Sequence, residues 1–265
     1  MLYLVATPIG NLADITFRAI ETLKSVDYIL CEDTRRSSIL LKNYSIEKPL
    51  KSFHKFSETK LEELVIADLK AGKQIALISD AGTPGVNDPG QKLVEHCRKE
   101  GLTVTSLPGP SAPITALTLS GFKMDRFQFL GFLSKTASER KRALIDAIFY
   151  PGVTIFFESP ERINRTLEEI AQIGPDHEVA VVREMTKIYE ECLKGKARDL
   201  LDREIRGEIV LILEGNKQVD FKLTPIEHVH QLQEEFDLSK QEAIKLAAEL
   251  RGVSKKEIYS QFLND

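Results

Sequence analysis

The sequence predicts an α/β protein with three parts: a parallel-sheet α/β domain over residues 1–120, a mixed-sheet α/β domain over 121–216, and a small C-terminal three-helix module over 217–265. Three observations carry this. Short apolar runs alternate with helical patterns as far as Gly121, which implies a mostly parallel sheet with helices on both faces. A second series of strands and helices follows a linker at Gly121-Phe-Lys-Met-Asp-Arg126, and there the run Ile188 to Leu193 trails Val182 so closely that a hairpin, and hence a mixed sheet, is expected. Finally, Thr224-Pro-Ile-Glu227, Ser239-Lys-Gln-Glu242 and Ser254-Lys-Lys-Glu257 are three successive capping boxes, each preceding an apolar stripe.

Leu2 to Ala6 reads as the first strand, followed by the loop Thr7-Pro-Ile-Gly-Asn-Leu-Ala-Asp14 and a helix through Ile15, Ala19, Ile20 and Leu23. Val26 to Cys31 is a second strand, ending in the polar cluster Cys31-Glu-Asp-Thr-Arg-Arg36, and a helix through Ile39, Leu40 and Leu41 follows. Leu50 to Phe53 is a short strand. Ser57-Glu-Thr-Lys60 opens an amphipathic helix with Leu61, Leu64, Val65 and Leu69 on one face and Gly72 closing it. Ile75 to Ile78 is apolar throughout, as a strand buried on both faces would be. Then comes the loop Ser79-Asp-Ala-Gly-Thr-Pro-Gly-Val-Asn-Asp-Pro-Gly90, and a helix from Asp88 to Glu100 with Asp88 as N-cap and Pro89 at its first position. Leu102 to Leu107 leads into Pro108-Gly-Pro-Ser-Ala-Pro113 and a helix through Ile114, Leu117 and Leu119.

In the second domain the strands are expected at Phe127 to Phe132, Val153 to Phe157, Glu178 to Val182, Ile188 to Leu193 and Glu208 to Leu213. Helices are expected near Ser138 to Phe149, Pro160 to Ile173 and Ala197 to Arg203. In the tail the stripes are Val229, Leu232 and Phe236; Ile244, Ala247 and Ala248; and Ile258, Tyr259 and Phe262. Acidic residues outnumber basic ones from Asn216 onward, which argues against tight groove binding by the tail alone.

Composition bounds the function. The chain has 265 residues, 42% hydrophobic and 29% charged, which is ordinary globular composition with length for two cores. No apolar run approaches the roughly 20 residues of a membrane span. Leu2 to Ala6 has no basic stretch before it, so the start does not read as a signal peptide. Cys31, Cys97 and Cys192 are far apart and lack partnered histidine spacings. They fit a reducing cytosol, with neither a disulfide framework nor a zinc site. The net charge is −4, so any nucleic-acid binding must come from a local patch.

The three Pro/Gly loops are the chemistry-bearing feature. In open α/β sheets ligands bind beyond the carboxyl ends of strands. Loops without side-chain bulk at that edge let backbone amides and carbonyls approach a ligand. Ser79 to Gly90 exceeds the usual strand-to-helix connection of about 2–6 residues. A dinucleotide fingerprint is absent from the first loop, where Gly10 stands alone and GxGxxG needs three glycines.

The motifs Ala6-Thr-Pro-Ile-Gly-Asn-Leu-Ala-Asp-Ile-Thr16, Glu32-Asp-Thr-Arg35, Ser79-Asp-Ala-Gly-Thr-Pro84 with Asn87-Asp-Pro-Gly90, and Pro108-Gly-Pro-Ser111 closely resemble those of the ribosomal RNA small subunit methyltransferase I family, a branch of the tetrapyrrole-methylase superfamily. The resemblance continues through Phe157-Glu-Ser-Pro-Glu-Arg162, Arg183-Glu-Met-Thr-Lys187 and Gly207-Glu-Ile-Val-Leu-Ile-Leu-Glu-Gly215. It implies two α/β domains of tetrapyrrole-methylase type with S-adenosyl-L-methionine in the cleft between them, commonly in a homodimer. It implies methyl transfer to the ribose 2′-oxygen of a cytidine in the decoding region of 16S rRNA, with the small ribosomal subunit as partner. Donor contacts implied by position are Pro8, Ile9 and Gly10; Asp80, Ala81, Gly82, Thr83 and Val86; Ser111 and Ala112; and Met185 and Ile209 from the second domain. Tetrapyrrole branches usually carry a glycine-rich first loop and a Gly-Gly-Asp-Pro central loop. Thr7-Pro8 and Ala81-Gly-Thr-Pro84 stand here instead, which moves the chain away from porphyrinoid substrates.

Methyl transfer is an in-line displacement whose sulfonium donor already carries a good leaving group, so the protein must align two reactants and manage one proton. Alignment alone can lower the barrier by roughly 7–11 kcal/mol. A ribose hydroxyl is a weak nucleophile, so a base or stabilising cation is expected nearby. The candidates are polar groups at strand ends: Glu32, Asp33, Glu184, Lys187 and Glu208, of which Lys187 and Glu184 are preferred. Lys187 can serve neutral as a base or charged as an electrostatic stabiliser. Arg35, Arg162 and Arg183, with Lys135 and Arg140 of the local basic cluster that Lys135 forms with Arg140-Lys141-Arg142, are candidates for RNA phosphates; structural ion pairs and a solvated helix face are the competing readings. The chemistry requires no metal, and no His/Cys ligand set is evident. Two other functions fit the same residues: a superfamily methyltransferase acting on a tetrapyrrole or protein residue, and a non-catalytic RNA-binding assembly factor.

Overall fold

The computed structural model describes residues 1–54, 58–215 and 218–262. By their contacts they divide into two units, 1–116 with 184–191, and 117–183 with 192–262.

In the first unit β1 (Leu2–Val5), β2 (Tyr28–Cys31), β3 (Leu50–Ser52), β4 (Ile75–Ile78) and β5 (Val104–Leu107) form a parallel sheet in the order β3-β2-β4-β1-β5. The period-2 alternation of side chains splits the strands between two cores. Val5, Ile29, Cys31, Ala76 and Ile78 pack with Ala19 and Leu23 of α1 (Phe17–Ser25) and with Leu40 and Leu41 of α2 (Thr34–Asn43). Leu2, Tyr28, Leu30, Ile75 and Leu77 pack with Val65 and Leu69 of α3 (Glu58–Lys70) and with Leu93 and Cys97 of α4 (Gln91–Lys99). Because the sheet is parallel, every strand's carboxyl end opens on one edge, and α5 (Ala112–Ser120) starts from there after β5.

α4 begins at Gln91, later than the expected Asp88, and Gly90 stands at its N-cap with φ +124°. That dihedral breaks the helix, and a Cβ at Gly90 would fall 2.5 Å from Leu77 Cδ2, so only glycine fits this turn. Ser57, expected at the start of α3, lies outside the described residues.

The second unit holds β6 (Phe127–Phe132), α6 (Ala137–Phe149), β7 (Val153–Glu158), α7 (Ile163–Ile173), β8 (Glu178–Arg183), β9 (Glu191–Lys196) and β10 (Ile209–Glu214). The order is β6-β7-β10-β8-β9, with β6 and β7 parallel and β10 antiparallel to both β7 and β8, so the sheet is mixed. The strand expected at Ile188 to Leu193 starts only at Glu191. Glu184 (φ +49°) and Thr186 (φ +66°) turn the chain out of extended geometry first. Residues 197–203 form no α-helix, only a 3₁₀ turn over Ala197–Leu200, and α7 starts at Ile163 instead of Pro160.

The tail folds as α8 (Pro225–Phe236), α9 (Lys240–Arg251) and α10 (Lys255–Phe262). Thr224 with Glu227, and Ser239 with Glu242, close reciprocal capping boxes; at Ser254 the hydroxyl accepts from Glu257 N. The expected boundary between residues 216 and 217 lies outside the described residues. Val229, Leu232, Phe236, Ile244 and Ile258 fill one core with Leu144, Ile148, Leu167 and Leu211, so the tail helices complete the hydrophobic core of the second sheet. Tyr259, read as part of the third stripe, is 42% exposed.

One buried polar pair in the tail carries a pH dependence. His228 is 2% exposed, and its Nδ1 accepts from Arg251 Nε at 2.9 Å. Burial, and then the Arg251 charge, push its pKa below the usual 6.5. The folded state therefore favours neutral imidazole while the unfolded chain takes up a proton. This contribution is whole above about pH 6.5 and is lost as pH falls toward the lower folded value. Urea unfolding at pH 7.5 and 5.5 is expected to show a drop in stability that His228→Asn largely removes; an equal drop in both proteins excludes His228 as its source.

Candidate functional site

Three loops at the carboxyl edge of the first sheet are stitched together by their backbones. Thr7 N donates to Gly82 O at 2.9 Å and Gly82 N to Thr7 O at 3.0 Å, an antiparallel bridge between the first and central loops. Thr7 Oγ1 donates to Ser79 O, and Ser79 Oγ reaches the carbonyls of Ala81 and Gly82 at 3.1 Å. Thr83 Oγ1 donates to Pro110 O at 3.2 Å, which ties in the third loop. Gly82 (φ +79°) is held between Ile9 and Pro110, and a Cβ at Gly109 would meet Ala6 Cβ at 2.8 Å. Asp33 N and Arg36 bond the Asp80 carboxylate, which joins the loop after β2 to the same cluster.

A fourth segment belongs to this unit. Thr186 Oγ1 accepts from Asn11 N at 2.9 Å, and a Cβ at Gly10 would stand 2.7 Å from both Met185 O and Thr186 Oγ1. Gly10 is therefore required by this close approach. Within the segment, Thr186 N donates to Glu190 Oε2 at 2.6 Å and Lys187 N to Glu184 O at 3.1 Å. Lys187 Nζ lies 3.0 Å from Glu184 Oε1, with both side chains partly buried.

The model of the tetrapyrrole (corrin/porphyrin) methylases matches residues 1–201. A ribosomal RNA small subunit methyltransferase I of Bacillus subtilis is 44% identical over 99% of this chain and 94% of its own length. That of Escherichia coli O157:H7 is 42% identical over 99% and 94%. The chain belongs to the ribosomal RNA small subunit methyltransferase I family. A crystal structure of diphthine synthase, 16% identical, covers 83% of this chain and 91% of its own with a TM-score of 0.64, which shows the shared fold.

Membership in the ribosomal RNA small subunit methyltransferase I family makes the chain a methyltransferase and implies a methyl donor. Of the residues expected to hold it, the first unit brings Pro8, Ile9, Gly10, Asp80, Ala81, Gly82, Thr83, Val86, Ser111 and Ala112 to one sheet edge, with Met185 on the segment beside Gly10. Ala81, Gly82, Ser111 and Ala112 carry little or no side-chain bulk, which leaves their backbone groups open to a ligand. Ile209 lies in β10 of the second unit, paired with Glu158 and Arg183.

The basic residues expected to meet RNA separate sharply. Arg140 is 3% exposed and bonds Glu169 with both Nε and Nη2, so it is unavailable to phosphate. Arg162 is spent on the buried Glu158 and on Leu133 O. Arg35 is 89% exposed and grips Asp33 bidentately, which holds that carboxyl down at about 2. Arg183 donates to Arg206 O, and Lys135 is exposed. Among the described residues no group of three or more His, Cys, Asp or Glu is arranged to hold a metal, and no helix is long and apolar enough to cross a membrane. The sequence motifs contained Asn11 and Thr186, and Glu190 fell in the strand expected from Ile188, but none gave a sign of its role, since only folding reveals that Thr186 meets the first loop.

Proposed function

We propose that the protein transfers a methyl group from S-adenosyl-L-methionine to the ribose 2′-oxygen of a cytidine in the decoding region of 16S rRNA, in the cytoplasm and as a homodimer. The observation that carries this reading is identity above 40% over nearly the whole chain with ribosomal RNA small subunit methyltransferases I. The stitched loops support it as a backbone-lined donor site.

When bound, the donor supplies an electrophilic methyl group. The chain's part is to fix it and to manage the hydroxyl proton. Pro8, Ile9, Gly10, Asp80, Ala81, Gly82, Thr83, Val86, Ser111 and Ala112 hold the donor, with Met185 against it and Ile209 contributed by the second unit. Lys187, held by Glu184, stabilises the oxygen as it loses its proton, and Glu184, 3.0 Å from the Lys187 ammonium, accepts it. Arg35, Arg183 and Lys135 attract RNA phosphates.

The test is methyl incorporation from labelled S-adenosylmethionine into small ribosomal subunits, followed by ribose-methylation mapping. One modified cytidine in the decoding region is expected; label on protein, on a tetrapyrrole or nowhere overturns the reading. A second expected result concerns the donor. Gly82→Val puts a β-branched side chain at φ +79° against Ile9 and Pro110, a strain of about 1–3 kcal/mol. The bridge to Thr7 is expected to distort and donor affinity by calorimetry to fall about tenfold or more. Unchanged affinity rules out the central loop as donor site.

A further inference from the structure

Ile188 is 94% exposed and Tyr189 72%, at the tip of the segment whose base is pinned to the first loop. This tip is braced. Thr186 N is bonded to the Glu190 carboxylate, Glu190 N to Lys187 O and Lys187 N to Glu184 O. Two residues with positive φ fix the turn. The chain thus orders a branched aliphatic and a flat aromatic side chain in advance and holds them toward solvent, which is costly unless something lands on them.

We propose that Tyr189, with Ile188 beside it, is a stacking platform for a nucleobase of the RNA substrate, at the methylated nucleotide or its immediate neighbour. This rests on the RNA reading proposed above. Unpaired bases splayed from RNA loops stack on aromatic side chains, and every base offers a π-face. The spacing fits. Consecutive Cα atoms lie about 3.8 Å apart, so Tyr189 is within about 8 Å of Lys187 along the backbone. In a nucleotide the base is carried on the ribose carbon next to the one bearing the 2′-hydroxyl. A side chain that handles the hydroxyl and one that grips a base must therefore be near neighbours. A second copy of this chain is the competing occupant. The nearness of Tyr189 to Lys187 favours the RNA, and sedimentation separates the two occupants.

The test measures binding and turnover with small ribosomal subunits lacking the modification. Tyr189→Ala is expected to weaken subunit binding and raise KM for subunits about tenfold, the scale of one lost base–aromatic stack. Donor affinity stays at the wild-type value and saturated turnover within about twofold. Tyr189→Phe, which keeps the ring, restores both. Wild-type binding and KM in Tyr189→Ala overturn the proposal, as does a loss accompanied by dissociation to monomer in sedimentation, which assigns the tip to a second copy. If wild-type protein binds subunits in a Tyr189-dependent way but transfers no methyl group, the activity reading fails and the stack stands. If it neither binds nor methylates them, both fall.

Discussion

Lys187→Met is expected to lower single-turnover methyl transfer at saturating RNA by ~10²-fold or more, while donor affinity stays near that of the unaltered protein. The magnitude is that of one general-base or electrostatic group. The reason for choosing Lys187 is geometric. It lies one residue from Thr186, whose hydroxyl is fixed on Asn11 N, and two from Met185, whose carbonyl crowds Gly10. Its ammonium is held 3.0 Å from Glu184. A charge anchored in this way costs little reorganisation when an oxygen beside it becomes anionic. Methionine keeps much of the length and apolar stem, so the segment's packing survives. If Lys187 holds phosphate instead, RNA binding weakens and its salt slope falls by about one, with the saturated rate intact. A wild-type saturated rate removes Lys187 from the chemistry.

What was legible in the sequence was whatever local composition controls. The apolar runs gave the strands of the first sheet and all but β9 of the second, and Thr224 and Ser239 with their glutamates gave two helix starts almost to the residue. The Pro/Gly loops could be assigned to one sheet edge because alternation of strands and helices implies parallel strands. Properties set by distant partners were not legible. Arg140, Lys141 and Arg142 read as a basic cluster, but successive helical residues point about 100° apart. Arg140 turns inward to Glu169, Lys141 reaches Asp237, and Arg142 pairs with Asp146 and Glu249. The strand expected from Ile188 failed for a related reason. Its residues are apolar enough for a strand, but the positive φ at Glu184 and Thr186 and the Glu190 bond to Thr186 N make a braced turn. Likewise the capping boxes marked the tail's helices, but only folding shows that their apolar stripes fill the core of the second sheet.

Arg162→Met is expected to destabilise the protein by ~3–5 kcal/mol, a large part of the roughly 5–15 kcal/mol that holds a domain folded. The Glu158 side chain is fully buried at the end of β7. It accepts from Ser159 N at 2.8 Å, Arg162 Nε at 2.7 Å and Thr166 Oγ1 at 2.9 Å, and Arg162 supplies the only cation among these bonds. Arg162 in turn donates to Leu133 O, so it ties the turn before α7 to the end of β6. Methionine fills similar volume but leaves a buried carboxylate facing two neutral donors and leaves Leu133 O without these donors. Urea unfolding measures the loss. Glu158→Gln combined with Arg162→Met should recover part of it, because the stranded charge is then gone. If Arg162 serves RNA instead, the single variant keeps its unfolding midpoint and loses subunit affinity with a shallower salt dependence.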